Sequence, residues 1–271
     1  MHHFRSQIKQ PIIGVGHSMG GSQIATLSVI QRRLFSSIIL LDPAIGPPDV
    51  GLDVLRFERM TLRRKTTWPN RQAAAKAVQK MFNDWDPEVL ELFTKFAVVD
   101  ETIPGPQFSS IAQPVSLATK QYHELVNYLK PVFIYDGEVR NPKIVYQTGT
   151  IDAFHMLGLV TCNTYFLCGS RDTPSESFIR DLWLRKTANL DYSRIPGEKR
   201  TVKVDLLPNT GHFLAMENPR SCSQALAVWI RSELKCWKQK EATRGNNLAD
   251  LSLDTQETIA DEWMRSLRSK L

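Results

Sequence analysis

Residues 11–41 constrain the fold of this chain more tightly than any other stretch. Pro11-Ile12-Ile13-Gly14-Val15 is a short apolar run that ends in the cluster Gly16-His17-Ser18-Met19-Gly20-Gly21. Ile24, Ala25, Leu27 and Ile30 then recur at helical spacing, and Ser37-Ile38-Ile39-Leu40-Leu41 is a second apolar run closed by Asp42-Pro43. Apolar runs of this length without alternation predict strands buried on both faces. A strand, a helix and a strand in succession make a βαβ unit, so the sheet is at least partly parallel. The same pattern returns late in the chain. Residues 164–168 are apolar and aromatic and close on Gly169, and residues 202–207 form a last strand before the turn Pro208-Asn209-Thr210-Gly211. The expected fold is α/β on a mainly parallel sheet.

The block 47–160 has a different character. Helical patterns run over 71–82, over 88–96 with Asp86 as N-cap and Pro87 at the first helical position, and over 119–128. Proline and glycine clusters at 103–106 and 136–142 divide them. This block reads as a helical cap inserted into the sheet rather than part of it. After the last strand a helix is expected from Asn218 (N-cap) and Pro219, with Ala225, Leu226, Val228, Trp229 and Ile230 as its buried stripe. Beyond Lys240 the chain becomes polar, with a modest helix over 255–267. The organisation is thus 1–46 as the first part of the core, 47–160 as the cap, 161–240 as the second part of the core, and 241–271 as a polar tail.

Composition narrows the classes. With 271 residues, 42% apolar and 23% charged, the chain is ordinary globular material able to bury a large core without disulfides. Cys162, Cys168, Cys222 and Cys236 show neither CxxC spacing nor paired histidines, and read as free thiols in a reducing compartment. The net charge of +6 is scattered apart from runs such as Arg63-Arg64-Lys65, which predicts a solvated basic surface rather than a nucleic-acid site. No apolar run approaches the roughly 18 residues of a membrane span. The start of the chain lacks the apolar segment of a secretory signal.

The chemistry gathers around three points. Gly16-His17-Ser18-Met19-Gly20 matches GxSxG, a sharp strand-to-helix turn that lifts a serine above the sheet in a strained conformation. A random chain of this length shows that pattern about one time in ten; the apolar strand before it and the helix after it supply the context that makes it specific. There is no Lys-Ser/Thr pair of a P-loop and no GxGxxG, and no cofactor or metal is expected. Ser18 is then the nucleophile, and the Met19 N–H an oxyanion donor at a helix N-terminus. Gly169-Ser170-Arg171-Asp172 places a carboxylate after the third strand, and Gly211-His212-Phe213 places a histidine after the fourth. His212 would take the serine proton while an acid fixes its tautomer. Asp172 is favoured as that acid. Asp42 also follows a strand and competes with it, although it reads equally as a turn residue bonded to its own backbone. His17, His123 and His155 receive no role.

The string Gly-His-Ser-Met-Gly-Gly, Leu-Leu-Asp-Pro-Ala, Gly-Ser-Arg-Asp and Gly-His-Phe resembles the α/β-hydrolase superfamily across residues 11–237. Thr61-Leu-Arg-Arg, Trp68-Pro-Asn-Arg71 and Trp85-Asp-Pro-Glu-Val-Leu90 look like the cap of a fungal branch, some of it peroxisomal and found in polyketide toxin-biosynthesis clusters. The resemblance implies a serine hydrolase acting through an acyl-enzyme on an ester or thioester, such as an acyl-CoA or a polyketide-derived acyl group. Epoxide hydrolases and dehalogenases of this fold would carry Asp at position 18. The family also takes a second oxyanion donor from an early His-Gly loop, whereas only residues 1–17 precede Ser18. The expectation is therefore a sheet lacking its usual N-terminal strands, an apolar edge at 11–15, and a poor catalyst. The alternative is a weakly active or non-catalytic truncated hydrolase remnant or binding protein. Finally, Ser269-Lys270-Leu271 is the peroxisomal import tripeptide, which predicts a peroxisomal location and an import-receptor partner.

Overall fold

The structure, a computed structural model, describes residues 8–47, 54–101, 114–135, 140–146, 149–171, 177–188 and 200–243, and Arg268. The chain divides into two compact units, Met1–Ala227 and Val228–Leu271. The first carries the sheet, the cap and the site. Of the second, the described residues are 228–243, which are helical, and Arg268.

In chain order the elements are β1 (Ile13–His17), α1 (Met19–Ile30), β2 (Ser37–Leu41), α2 (Val54–Arg63), β3 (Thr67–Trp68), α3 (Arg71–Met81) and α4 (Pro87–Ala97). There follow β4 (Val98–Asp100), β5 (Val115–Leu117), α5 (Gln121–Tyr128), β6 (Leu129–Tyr135), β7 (Arg140–Tyr146) and α6 (Gly149–Met156). The last are β8 (Asn163–Gly169), α7 (Ser177–Ala188), β9 (Val202–Leu207), α8 (Leu214–Glu217) and α9 (Pro219–Thr243).

The main sheet has the order β1-β2-β8-β9, with every pair parallel. Its four strands are those expected from sequence. β2, Ser-Ile-Ile-Leu-Leu, is buried at all five positions, flanked by β1 and β8 and packed against α1. β1 forms an edge of the sheet as described, and Val15 on it is 45% exposed. On one face, Ala25 of α1, Ala153 and Phe154 of α6 and Trp183 of α7 share a core with Ile38, Leu40 and Phe166 of the strands. Each large side chain buried there contributes up to about 1.5–3 kcal/mol. The register pairs His17 with Leu41 and Leu41 with Leu167, so residues leaving β1, β2 and β8 emerge side by side at one sheet edge. In open parallel sheets that carboxyl edge is where sites are built.

The cap expected at Asp86 is present, and Asn70 supplies a second one in the inserted block. The Asn70 side chain accepts from Ala73 N–H at 2.8 Å to start α3, and Asp86 accepts from Glu88 N–H at 2.9 Å, with Pro87 opening α4. Asn218 caps α9 by accepting from Ser221 N–H at 3.0 Å. The block is not helical throughout, however. β3, β5 and β4 form a small antiparallel sheet over Ala74, with Trp68, Val98, Val115 and Leu117 as its core, and β6 pairs with β7 in an antiparallel hairpin. None of these strands joins the main sheet. The segment 149–160 belongs with the main core rather than the cap, since Ala153, Phe154, Leu157 and Val160 are buried in it. Val228, expected on a buried stripe, is 65% exposed, whereas Cys222 and Trp229 are buried. Cys162, Cys168 and Cys222 are buried, and Cys236 is exposed. The helix expected over 255–267 lies outside the described residues, and no helix among those described is long and apolar enough to cross a membrane.

Candidate active site

Ser18 sits between β1 and α1 with φ 52° and ψ −120°, a left-handed conformation that a serine adopts only under constraint. The constraint is visible in its backbone bonds. Ser18 N–H donates to Leu41 O at 3.0 Å, and Ser18 O accepts from Gly21 N–H at 2.9 Å and Ala44 N–H at 2.8 Å. The elbow is therefore pinned to the exit of β2. Glycine is required at Gly16, where a Cβ would lie 2.3 Å from Gly20 O, and at Gly21, where it would lie 2.6 Å from Pro43 Cβ. At Gly20 a Cβ would meet nothing within 4 Å. The crowding behind the turn thus falls on Gly21, not on the glycine that completes the motif.

His212 reaches this serine from the loop after β9. Its Nε2 lies 2.9 Å from Ser18 Oγ, and its Nδ1 lies 2.5 Å from Asp42 Oδ2. An ionised carboxylate can only accept, so Nδ1–H donates to Asp42 and the Nε2 lone pair faces the serine hydroxyl. The carboxylate facing His212 Nδ1 is thus Asp42, in the place where Asp172 was expected. Asp172 itself lies outside the described residues. Register explains the choice. His17 and Leu41 are partners on adjacent strands, so the next residues, Ser18 and Asp42, leave the sheet as neighbours. Asp42 is only 1% exposed and has φ 36°, again left-handed, with its N–H held by Leu167 O at 2.9 Å. It is no ordinary turn residue.

Met19 opens α1, so its N–H has no acceptor within the helix and lies where the helix end favours negative charge. His17, given no role from sequence, contacts His212. Its Nε2–H donates to His212 O at 2.8 Å, and its ring lies 4.9 Å from the His212 ring. Burial holds its pKa below the ordinary 6.5, and the neighbouring His212 pushes the same way, outweighing the opposing pull of the His212 carbonyl and Asp42. A neutral His17 is the form that adds no charge beside an imidazolium.

Phe213 continues from the base into the cap. Its ring lies 5.6 Å from Trp85 and 6.4 Å from Phe82, and Phe82 stacks on Trp85 at 4.1 Å with Phe93 edge-on. Asp86 N–H donates to Met216 O at 2.9 Å, tying this aromatic corner to the segment after the base. The tripeptide Ser269-Lys270-Leu271 lies outside the described residues.

The arrangement can move a proton from Ser18 to His212 while Asp42 balances the charge that results, with Met19 N–H beside a developing oxyanion. Comparison with known proteins agrees with this architecture. A sequence profile described as the alpha/beta hydrolase family matches residues 2–225. The abhydrolase domain-containing protein AKT2 of Alternaria alternata is 50% identical over 97% of this chain and all of its own length. The type I acyl-CoA thioesterase mpaH of Penicillium roqueforti is 26% identical, over 90% of this chain and 64% of its own. Among solved structures, the peroxisomal alpha-beta-hydrolase Lpx1 of Saccharomyces cerevisiae superposes with a TM-score of 0.58 at 18% identity, and the chain covers 61% of its length. Matched over most of its length by the family profile and half identical to AKT2, the chain belongs to the alpha/beta hydrolase family.

Proposed function

We propose that the protein is a serine hydrolase that cleaves an acyl ester or thioester through an acyl-enzyme on Ser18. The observation that carries this reading is the continuous line from Ser18 Oγ to His212 at 2.9 Å and from His212 to Asp42 at 2.5 Å. His212 takes the hydroxyl proton as Ser18 attacks the acyl carbon, then gives it to the leaving thiol or alcohol. Water repeats the sequence on the acyl-enzyme. The aromatic corner of Phe82, Trp85 and Phe213 beside the base favours an apolar acyl group. A thioester is preferred over a simple ester because related proteins include acyl-CoA thioesterases of Penicillium. A role in toxin or other secondary-metabolite biosynthesis, in the peroxisome, goes with the fungal resemblance and the terminal Ser269-Lys270-Leu271.

The test is thiol release from a medium-chain acyl-CoA, compared with alcohol release from the matching p-nitrophenyl ester. The protein should turn over the thioester, and Ser18→Ala should reduce kcat to near background. Turnover of neither substrate would return the chain to the class of binding proteins.

A further inference from the structure

Outside the line Ser18–His212–Asp42 stands a carboxylate that the proposed reaction does not use. The Glu217 side chain is 8% exposed. Its Oε2 accepts from Gly211 N–H at 2.6 Å and its Oε1 from Phe213 N–H at 3.2 Å, so it takes the backbone donors on either side of His212. Arg171 supplies the countercharge, with Nη2 at 2.8 Å from Glu217 Oε2, while its own backbone N–H donates to Thr210 O at 2.9 Å. Arg171 Nη2 also lies 3.4 Å from Asp84 of the cap segment. A carboxylate with a charged partner and two backbone donors is the arrangement that justifies burying it.

We infer that Glu217 is a positioning residue for the catalytic base. It fixes the Thr210–Gly211 and His212–Phe213 peptide planes, and thereby the position of an imidazole that must meet Ser18 and Asp42 at once. Arg171 holds Glu217 in place. This inference rests on the serine-hydrolase reading. The geometric demand is severe, because an ångström of misplacement in a reacting group costs about 10²-fold in rate. Glu217→Gln keeps the shape but offers an acceptor on one side only. The loop is then held at one amide instead of two.

The test is a double-mutant cycle on p-nitrophenyl acetate turnover, at a temperature where circular dichroism shows every variant folded. Glu217→Gln should lower kcat roughly 10–100-fold with KM nearly unchanged. In a His212→Ala background, whose residual rate still exceeds that in water by about 10³–10⁴, the same change should alter the rate by less than about twofold. A wild-type rate for Glu217→Gln, or an equal loss in both backgrounds, overturns the inference, because a merely structural role would act in either. If Glu217→Gln does not fold, Arg171→Gln takes its place: a three- to tenfold loss confined to the His212 background is expected, and no loss overturns the inference. An inactive wild type overturns the serine-hydrolase reading and this inference with it, an outcome distinct from an active wild type indifferent to Glu217.

Discussion

At the scale of single residues, the site turns on which carboxylate faces His212. Two aspartates follow strands, and order along the chain allows either. Strand register decides between them, and register is a property of pairing that no spacing in the sequence displays. Once His17 pairs with Leu41, Asp42 stands beside Ser18. Asp42→Asn preserves the shape but cannot hold the same imidazole tautomer, so kcat should fall by about 10⁴. Asp172→Asn should stay within a few-fold of wild type. Steady-state kinetics of the two variants checks this, and a large loss confined to Asp172→Asn would reverse the assignment. Ser18 and His212, by contrast, were legible because each stands at a strand end in a recognisable local pattern. His17 and Glu217 are not, since both bond backbone atoms of the loop that carries His212, which shows in no spacing: His17 reaches it from the other end of the chain and Glu217 folds back onto it from the turn that follows.

At the scale of elements, the parts with strong local signals are legible in the sequence itself. The four apolar residues of β2, the runs of β8 and β9, and the caps Asp86 and Asn218 all encode their elements locally. The strands of the cap carry no such signal. β3 has two residues and β4 and β5 three each, too few for a period to show. β6 and β7 each contain a proline, Pro131 and Pro142, which argues against a strand until a hairpin that is two-stranded among the described residues tolerates it. The elbow makes a sharper prediction. Gly21→Ala forces a methyl to within 2.6 Å of Pro43 Cβ and should cost about 1–3 kcal/mol as overpacking, whereas Gly20→Ala meets open space. Thermal unfolding should therefore show a fall in Tm of several degrees for Gly21→Ala and little change for Gly20→Ala. Equal shifts would mean that Pro43 moves aside.

At the scale of the whole molecule, a four-stranded parallel sheet brings three chain exits to one edge, and the cap adds an aromatic corner beside the base. Delivery is a separate matter from catalysis. A fluorescent protein fused ahead of residue 1 should give punctate, peroxisomal signal that becomes cytosolic when Leu271 is deleted; punctate signal without Leu271 would point to another route. The central claim is that His212 and Asp42 turn Ser18 into a nucleophile. Its most direct test is peptide-level mass spectrometry of the protein after exposure to a fluorophosphonate. One stoichiometric adduct is expected, on Ser18, formed in the wild type and absent from Ser18→Ala. An adduct on another residue, or none on the folded wild-type protein, would contradict it.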